Sequence, residues 1–306
     1  MLDPHGLYEL VGDLPALDRP VLVQALSGFV DAGSATRLAR EHLLGTRGPE
    51  LVARFDVDQL LDYRSRRPMM DFVEDHWDSY DAPELGLWRL TDAAGTPFLL
   101  LAGPEPDVQW ERFIEAVVGL VERLGVRLTI GLNAIPMAVP HTRPAGMTAH
   151  ATRRDLIAGY EPWLQRVRVP ASVGNLLEYR LGRRDRDALG FAVHVPHYVA
   201  QAEYPAAALL LVTSLAMASG LDLPVDQLRV AADLVRGQID EQVAQSAEAA
   251  SVVRALEEQY DAFQRGRQRE GLLAESGPLP TAEEIAAELE RFLAEHGNSG
   301  EQPPST

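Results

Sequence analysis

A chain of 306 residues, 46% of them hydrophobic, has the length and balance of a large globular domain with an appendage. Its 45 acidic and 28 basic side chains leave a formal charge of −17, which argues against a general nucleic-acid binder, since phosphate contacts need a basic face. The sequence has no cysteine, which excludes disulfides and thiolate chemistry, and every basic side chain is arginine, which excludes Schiff-base catalysis and lysine-anchored pyridoxal phosphate.

In chain order, "MLDPHGLYEL" lacks the basic start and apolar stretch of a secretory signal, and no apolar run reaches the ~18 residues of a membrane span. The cytoplasm is therefore the expected location, with no membrane partner. "RPVLVQAL" (19–26) reads as a strand buried on both faces, followed by "SGFVDAG" and a helix in "SATRLAREHLL". "ELVARFDV" (50–57) is the next strand, and "DQLLDYRSRRPMMDF" reads as a polar loop. "LGLWRL" (85–90) and "TPFLLLAG" (96–103) flank the turn "TDAAG" as a hairpin. Residues 110–125 place Phe113, Val117, Leu120, Val121 and Leu124 at helical spacing, closed by Gly125. "VRLTIGLNAI" (126–135) and "LGFAVHVPHYV" (189–199) are further strands, and 204–220 is an apolar helix.

The alternation of strand and helix predicts an α/β fold, a three-layer αβα sandwich on a mostly parallel sheet, over 1–221. From Asp222 onward the chain carries 17 acids against 7 arginines and reads as helices only, a C-terminal helical region over 222–296 with a Gly/Pro joint at "ESGPLP". Thr281 and Glu284 form a capping box ahead of an apolar stripe at Ile285, Leu289, Phe292 and Leu293. Residues 297–306 read as a disordered tail.

In a parallel sheet the loops after five of these strands emerge at one edge, where open α/β sheets bind ligands. The unusual polar residues fall there: Asp31, Arg64, Arg66, Arg67, Glu105, His141, Thr142, Arg143, His197 and Tyr198. "VPHTRP" (139–144) sets His141, Thr142 and Arg143 between two prolines, which stiffen the loop. "GFVDAGS" (28–34) has the two glycines of a phosphate loop, Gly28 and Gly33, but Ser34 stands where the lysine belongs. Asp31 would repel phosphate, and a helix cap is the plainer reading. Glu105 in "GPEP" reads as a base or, more simply, a cap of the following helix. The three arginines of "DYRSRRP" suit a carboxylate or phosphate, neighbouring acids, or a subunit contact. His194 and His197 would face opposite sides of a continuing strand, which speaks against shared metal ligation. No H-E-x-x-H, G-x-S-x-G or cofactor signature occurs.

Taken together and in order, "GFVDAG", "DQLLDYRSRRP", "LLLAGPEPDVQWERF", "VPHTRP", "VPHYV" and "LEEQYDAF" resemble the bacterial, high-GC Gram-positive branch of the proteasome assembly chaperone two family, over roughly residues 8–265. The resemblance implies a nucleoside-phosphorylase-like αβα core, a helical C-terminal part and a homotrimer. It carries no catalytic residues with it, and a shared fold does not transfer a function. Two readings follow. One is a homo-oligomeric assembly or scaffold protein acting by protein–protein contacts. The other is a small-molecule enzyme or sensor for an anionic or nucleoside-like ligand. In that reading Gly28, Asp31, Arg64, Arg66, Arg67, His141, Thr142, Arg143, His197 and Tyr198 line the cleft. Arg143 and Arg64 are its anion clamps, and His141, Asp31, Glu105 and His197 are the acid–base candidates.

Overall fold

Apolar side chains alternate along the central strands and so supply two cores, one on each face of a single sheet. The structure, a computed structural model, describes residues 2–28, 30–45, 48–161 and 166–274. Its strands are β1 (Tyr8–Leu10), β2 (Val21–Ser27), β3 (Glu50–Phe55), β4 (Met70–Val73), β5 (His76–Tyr80), β6 (Gly86–Thr91), β7 (Pro97–Pro104), β8 (Leu128–Met137), β9 (Met147–Ala151) and β10 (Ala188–Pro196). Its helices are α1 (Ala35–Leu44), α2 (Trp110–Arg123), α3 (Val173–Gly182), α4 (Pro205–Ser219), α5 (Asp226–Ala244) and α6 (Ala247–Ala274).

Eight strands form one sheet in the order β1-β3-β6-β7-β2-β8-β10-β9. The heart, β7-β2-β8-β10, is parallel. Antiparallel β6 and β9 flank it, and β6 and β7 form the expected hairpin. β3 pairs antiparallel with β6 and thus points the same way as β7, so five of the eight strands share one direction. On β2 and β7 the period of two is clean. Val21, Val23, Phe98 and Leu100 face the core under α1 and α4, while Leu22, Leu99 and Leu101 face the core under α2 and α3. The result is the three-layer αβα sandwich.

Three local elements depart from the sequence reading. Residues 70–80, read as loop, form the β4–β5 hairpin, a two-stranded sheet of its own with every strand residue exposed. Its apolar residues point to no core, so no burial pattern announced it. β9 joins the sheet at its edge, next to β10. The stretch "NLLEYRLG" (175–182), to which the sequence assigns no element, belongs to α3, capped by Ser172, whose Oγ accepts from the Asn175 N–H at 3.2 Å.

The chain divides into two compact units, 1–257 and 258–306. α5 lies within the first, because Leu228 and Ile239 join the same apolar cluster as Val23 and Leu211. The change at Asp222 thus marks a turn to helical sequence rather than the end of this core. In the second unit, 258–274 is helical. The joint at "ESGPLP", the helix expected from Thr281 and the tail 297–306 lie outside the described residues.

Candidate functional site

The strand-end edge is built as the strand directions require: β2, β3, β7, β8 and β10 all end there, and each is followed by one of the polar loops. What those loops hold is mostly their own chain. Asp31 accepts from the Thr36 N–H at 2.7 Å and from the Arg37 N–H at 3.0 Å, so its carboxylate caps α1. Ser34 makes no side-chain cap. Gly28 sits at φ 147°, and a Cβ there would stand 2.7 Å from Arg66 Nη1. The guanidinium of Arg66 lies against that glycine and pairs with Asp107 at 2.5 Å. Arg64 and Arg67 are exposed.

Glu105 caps a helix, but not the one that follows it. Its Oε1 accepts from the Val173 N–H of α3 at 2.5 Å, 68 residues away. Burial pushes its carboxyl above the ordinary range, and the Val173 N–H opposes that shift. His194 and His197 part company. His194 is fully buried in β10 with Nε2 2.8 Å from Thr148 Oγ1, and burial pushes its pKa down to about 4, so it is neutral. His197 is exposed in the short turn His197–Val199, its ring 5.5 Å from that of Tyr198.

The "VPHTRP" loop is a clasp. The His141 ring is buried, with Nε2 3.0 Å from Asp240 Oδ1 on α5 and Nδ1 2.6 Å from Tyr198 Oη. An ionised Asp240 takes the Nε2–H, which leaves Nδ1 as acceptor for the Tyr198 hydroxyl. Tyr198 Oη also accepts from the His141 backbone N–H at 2.8 Å. Burial pushes the Tyr198 phenol up to about 12, so it keeps its proton and stays a donor. Next along the loop, Thr142 Oγ1 donates to Glu257 Oε1 of α6 at 2.5 Å and Arg143 Nη1 lies 3.1 Å from the same oxygen. The two prolines therefore present three polar side chains to α5 and α6. Asp240 and Glu257, the acceptors that complete the arrangement, stand 99 and 115 residues beyond their partners, and no local motif marks them. Among the described residues, no group of three His, Asp or Glu side chains is placed to hold a metal ion, and no helix is long and apolar enough to cross a membrane.

The model of the PAC2 family matches residues 25–243, which takes in most of the sheet, the "VPHTRP" loop and nearly all of α5, and stops short of Glu257. The chain belongs to the PAC2 family. Within it, a Mycobacterium tuberculosis protein of unknown function is similar at 54% identity, with 87% of this chain and 92% of that chain covered and a TM-score of 0.85. A protein of unknown function from Corynebacterium glutamicum is similar at 42% identity, over 84% of this chain and 97% of that chain, with a TM-score of 0.81. A second Mycobacterium tuberculosis protein, described as a proteasome-assembly chaperone homologue, shares the PAC2 fold at 24% identity, over 76% of this chain and 99% of that chain, with a TM-score of 0.70. Among curated proteins no sequence matches it.

Proposed function

We propose that this PAC2 protein is a cytoplasmic, homotrimeric assembly or scaffold protein that acts through protein–protein contacts. The observation that carries the reading is the β4–β5 hairpin. Met69 is 70% exposed, Trp77 63%, Phe72 57% and Tyr80 52%, and the Phe72 and Trp77 rings meet edge to face, their centroids 5.1 Å apart. An isolated two-stranded hairpin is marginal in water, and apolar clusters of this kind mark contact surfaces. Family membership and the chaperone homologue described above support the same reading.

The occupant we assign is a second copy of this chain. Asp71, Glu74, Asp75 and Asp78 surround the hairpin's aromatic residues. Elsewhere on the same unit, a groove between α4 and α5 combines Leu209 and Leu210 with Arg229 and with Arg236, which lies 3.5 Å from Asp233 of the same groove. Apolar meets apolar and acid meets arginine if the hairpin of one copy enters the groove of the next. A head-to-tail contact of this kind closes into a ring when its rotation closes, and the proposed trimer is the three-copy case. Light scattering on the eluted protein tests this. The wild type is expected to run as a trimer and the Phe72→Asp/Trp77→Asp variant as a folded monomer. A trimer that survives both substitutions would remove the hairpin from the interface, and a monomeric wild type would remove self-association.

A further inference from the structure

A second feature lies on the α3 face of the sheet, away from the clasp. One row of residues crosses four paired strands: Gln24 on β2, Gly131 on β8, Gly190 on β10 and His150 on β9. The two central glycines make a floor without side chains, and the polar side chains at its ends lean over it. A Cβ on Gly190 would fall 2.3 Å from His150 Cε1, and one on Gly131 would fall 3.2 Å from Gln24 Oε1. The roof is α3, where a Cβ on Gly174 would stand 2.7 Å from the same oxygen. Glycine within a strand marks a close approach, and here three glycines keep one cavity open. It encloses about 40 Å³.

The cavity is lined by groups that packing does not require. Gln24 is 7% exposed and lines the cavity, and its amide atoms are not among the buried, unpartnered polar atoms of the described residues, so they open onto the cavity. An amide placed in this way can pair with a group that enters the cavity. Asn133 and Asn175 line the same space, with Glu105 at the side of β7 and the His150–Glu178 pair, 2.8 Å apart, at the other end. No arginine lines it, and two carboxyl groups do, which disfavours an anion. The cavity also adjoins the point where β2 and β7 send their following helices, α1 and α2, to opposite faces of the sheet, the crevice in which open α/β sheets take ligands.

We infer that this cavity binds a small uncharged molecule through a carboxamide-like edge, a donor beside an acceptor, with Gln24 as the group that reads it. A glutamine amide offers one donor and one acceptor in a plane and pairs in two parallel hydrogen bonds with another amide or with the N–C–NH₂ edge of a heterocycle. A water needs at least about 10 Å³ of such space, so the cavity suits a head group of a few heavy atoms, the remainder of the molecule projecting outward. The inference goes beyond the scaffold reading and stands whether or not the hairpin mediates assembly.

The test is ligand-observed NMR on the full chain with acetamide, nicotinamide and adenine, against acetate and nicotinate, at low millimolar concentration. At least one amide-edged compound is expected to bind, with its carboxylate counterpart about tenfold weaker, the value of one lost hydrogen bond. Gln24→Met, which keeps the volume, should abolish binding. Gly174→Ala, which closes the roof, should do the same and serves if the first variant fails to fold. Adenine binding without acetamide would identify a heterocyclic ligand, and the reverse a simple amide; both support the site. No binding by any amide-edged compound, equal binding of carboxylates, or unchanged binding in either folded variant would overturn it.

Discussion

Single residues at the strand-end edge show how a polar side chain can look like a catalyst and serve the fold. Asp31 and Glu105 are carboxyl groups at strand ends, and helix N–H groups occupy both oxygens of the first and one oxygen of the second. The sequence offered a cap for both. It could place the cap of Asp31 because α1 follows at once, but it assigned Glu105 to the wrong helix, because α3 comes 68 residues later and only the sheet brings it near. His194 carries a consequence for pH. Its folded pKa, about 4, lies below the unfolded value of about 6.5, so the unfolded chain binds the extra proton between them. Stability from this residue is complete above pH 6.5 and is lost as pH falls through 4. Between pH 7 and pH 5 the wild type should lose about 2 kcal/mol more unfolding free energy than His194→Gln. Denaturant titrations at the two pH values measure it, and equal losses would mean that His194 titrates normally.

At the scale of elements, the clasp joins a loop to two helices that the sequence had placed in a separate region. The periodicity of α5 and α6 was legible, since apolar residues recur at helical spacing across 223–265. Their partner was not, because a lone Asp240 or Glu257 on a charged helix looks like any solvated acid. The hairpin was missed for the opposite reason: "MMDF" and "HWDSY" alternate poorly, and neither strand faces a core. The cavity left only faint traces, a glutamine inside "VLVQAL" and glycines inside "LTIGLN" and "ALGFAV". The clasp itself is measurable by a double-mutant cycle. Arg143 and Glu257 are each about a quarter to a third exposed, so solvent weakens the pair, and their coupling is expected at about 0.5–1 kcal/mol. Asp240→Ala leaves the buried His141 Nε2 without its acceptor and should cost about 1–3 kcal/mol. A cost within error for Asp240→Ala would show that water replaces the carboxylate fully.

For the whole molecule, the distance in sequence across the clasp sets an order of events. The loop of His141, Thr142 and Arg143 lies mid-chain, and the helices it grips come about a hundred residues later. Contacts of that separation are slow to form, and domains generally fold from the N-terminal side during synthesis. We predict that the sheet assembles with its loop open and that the clasp closes after the rate-limiting step. Such a latch governs how slowly the native state comes apart rather than how fast it is reached. In stopped-flow experiments Glu257→Ala should speed unfolding and leave the refolding rate unchanged, whereas a slowed refolding arm would put the clasp in the folding nucleus. The stiff loop between two prolines then works as a catch on the lifetime of the folded protein.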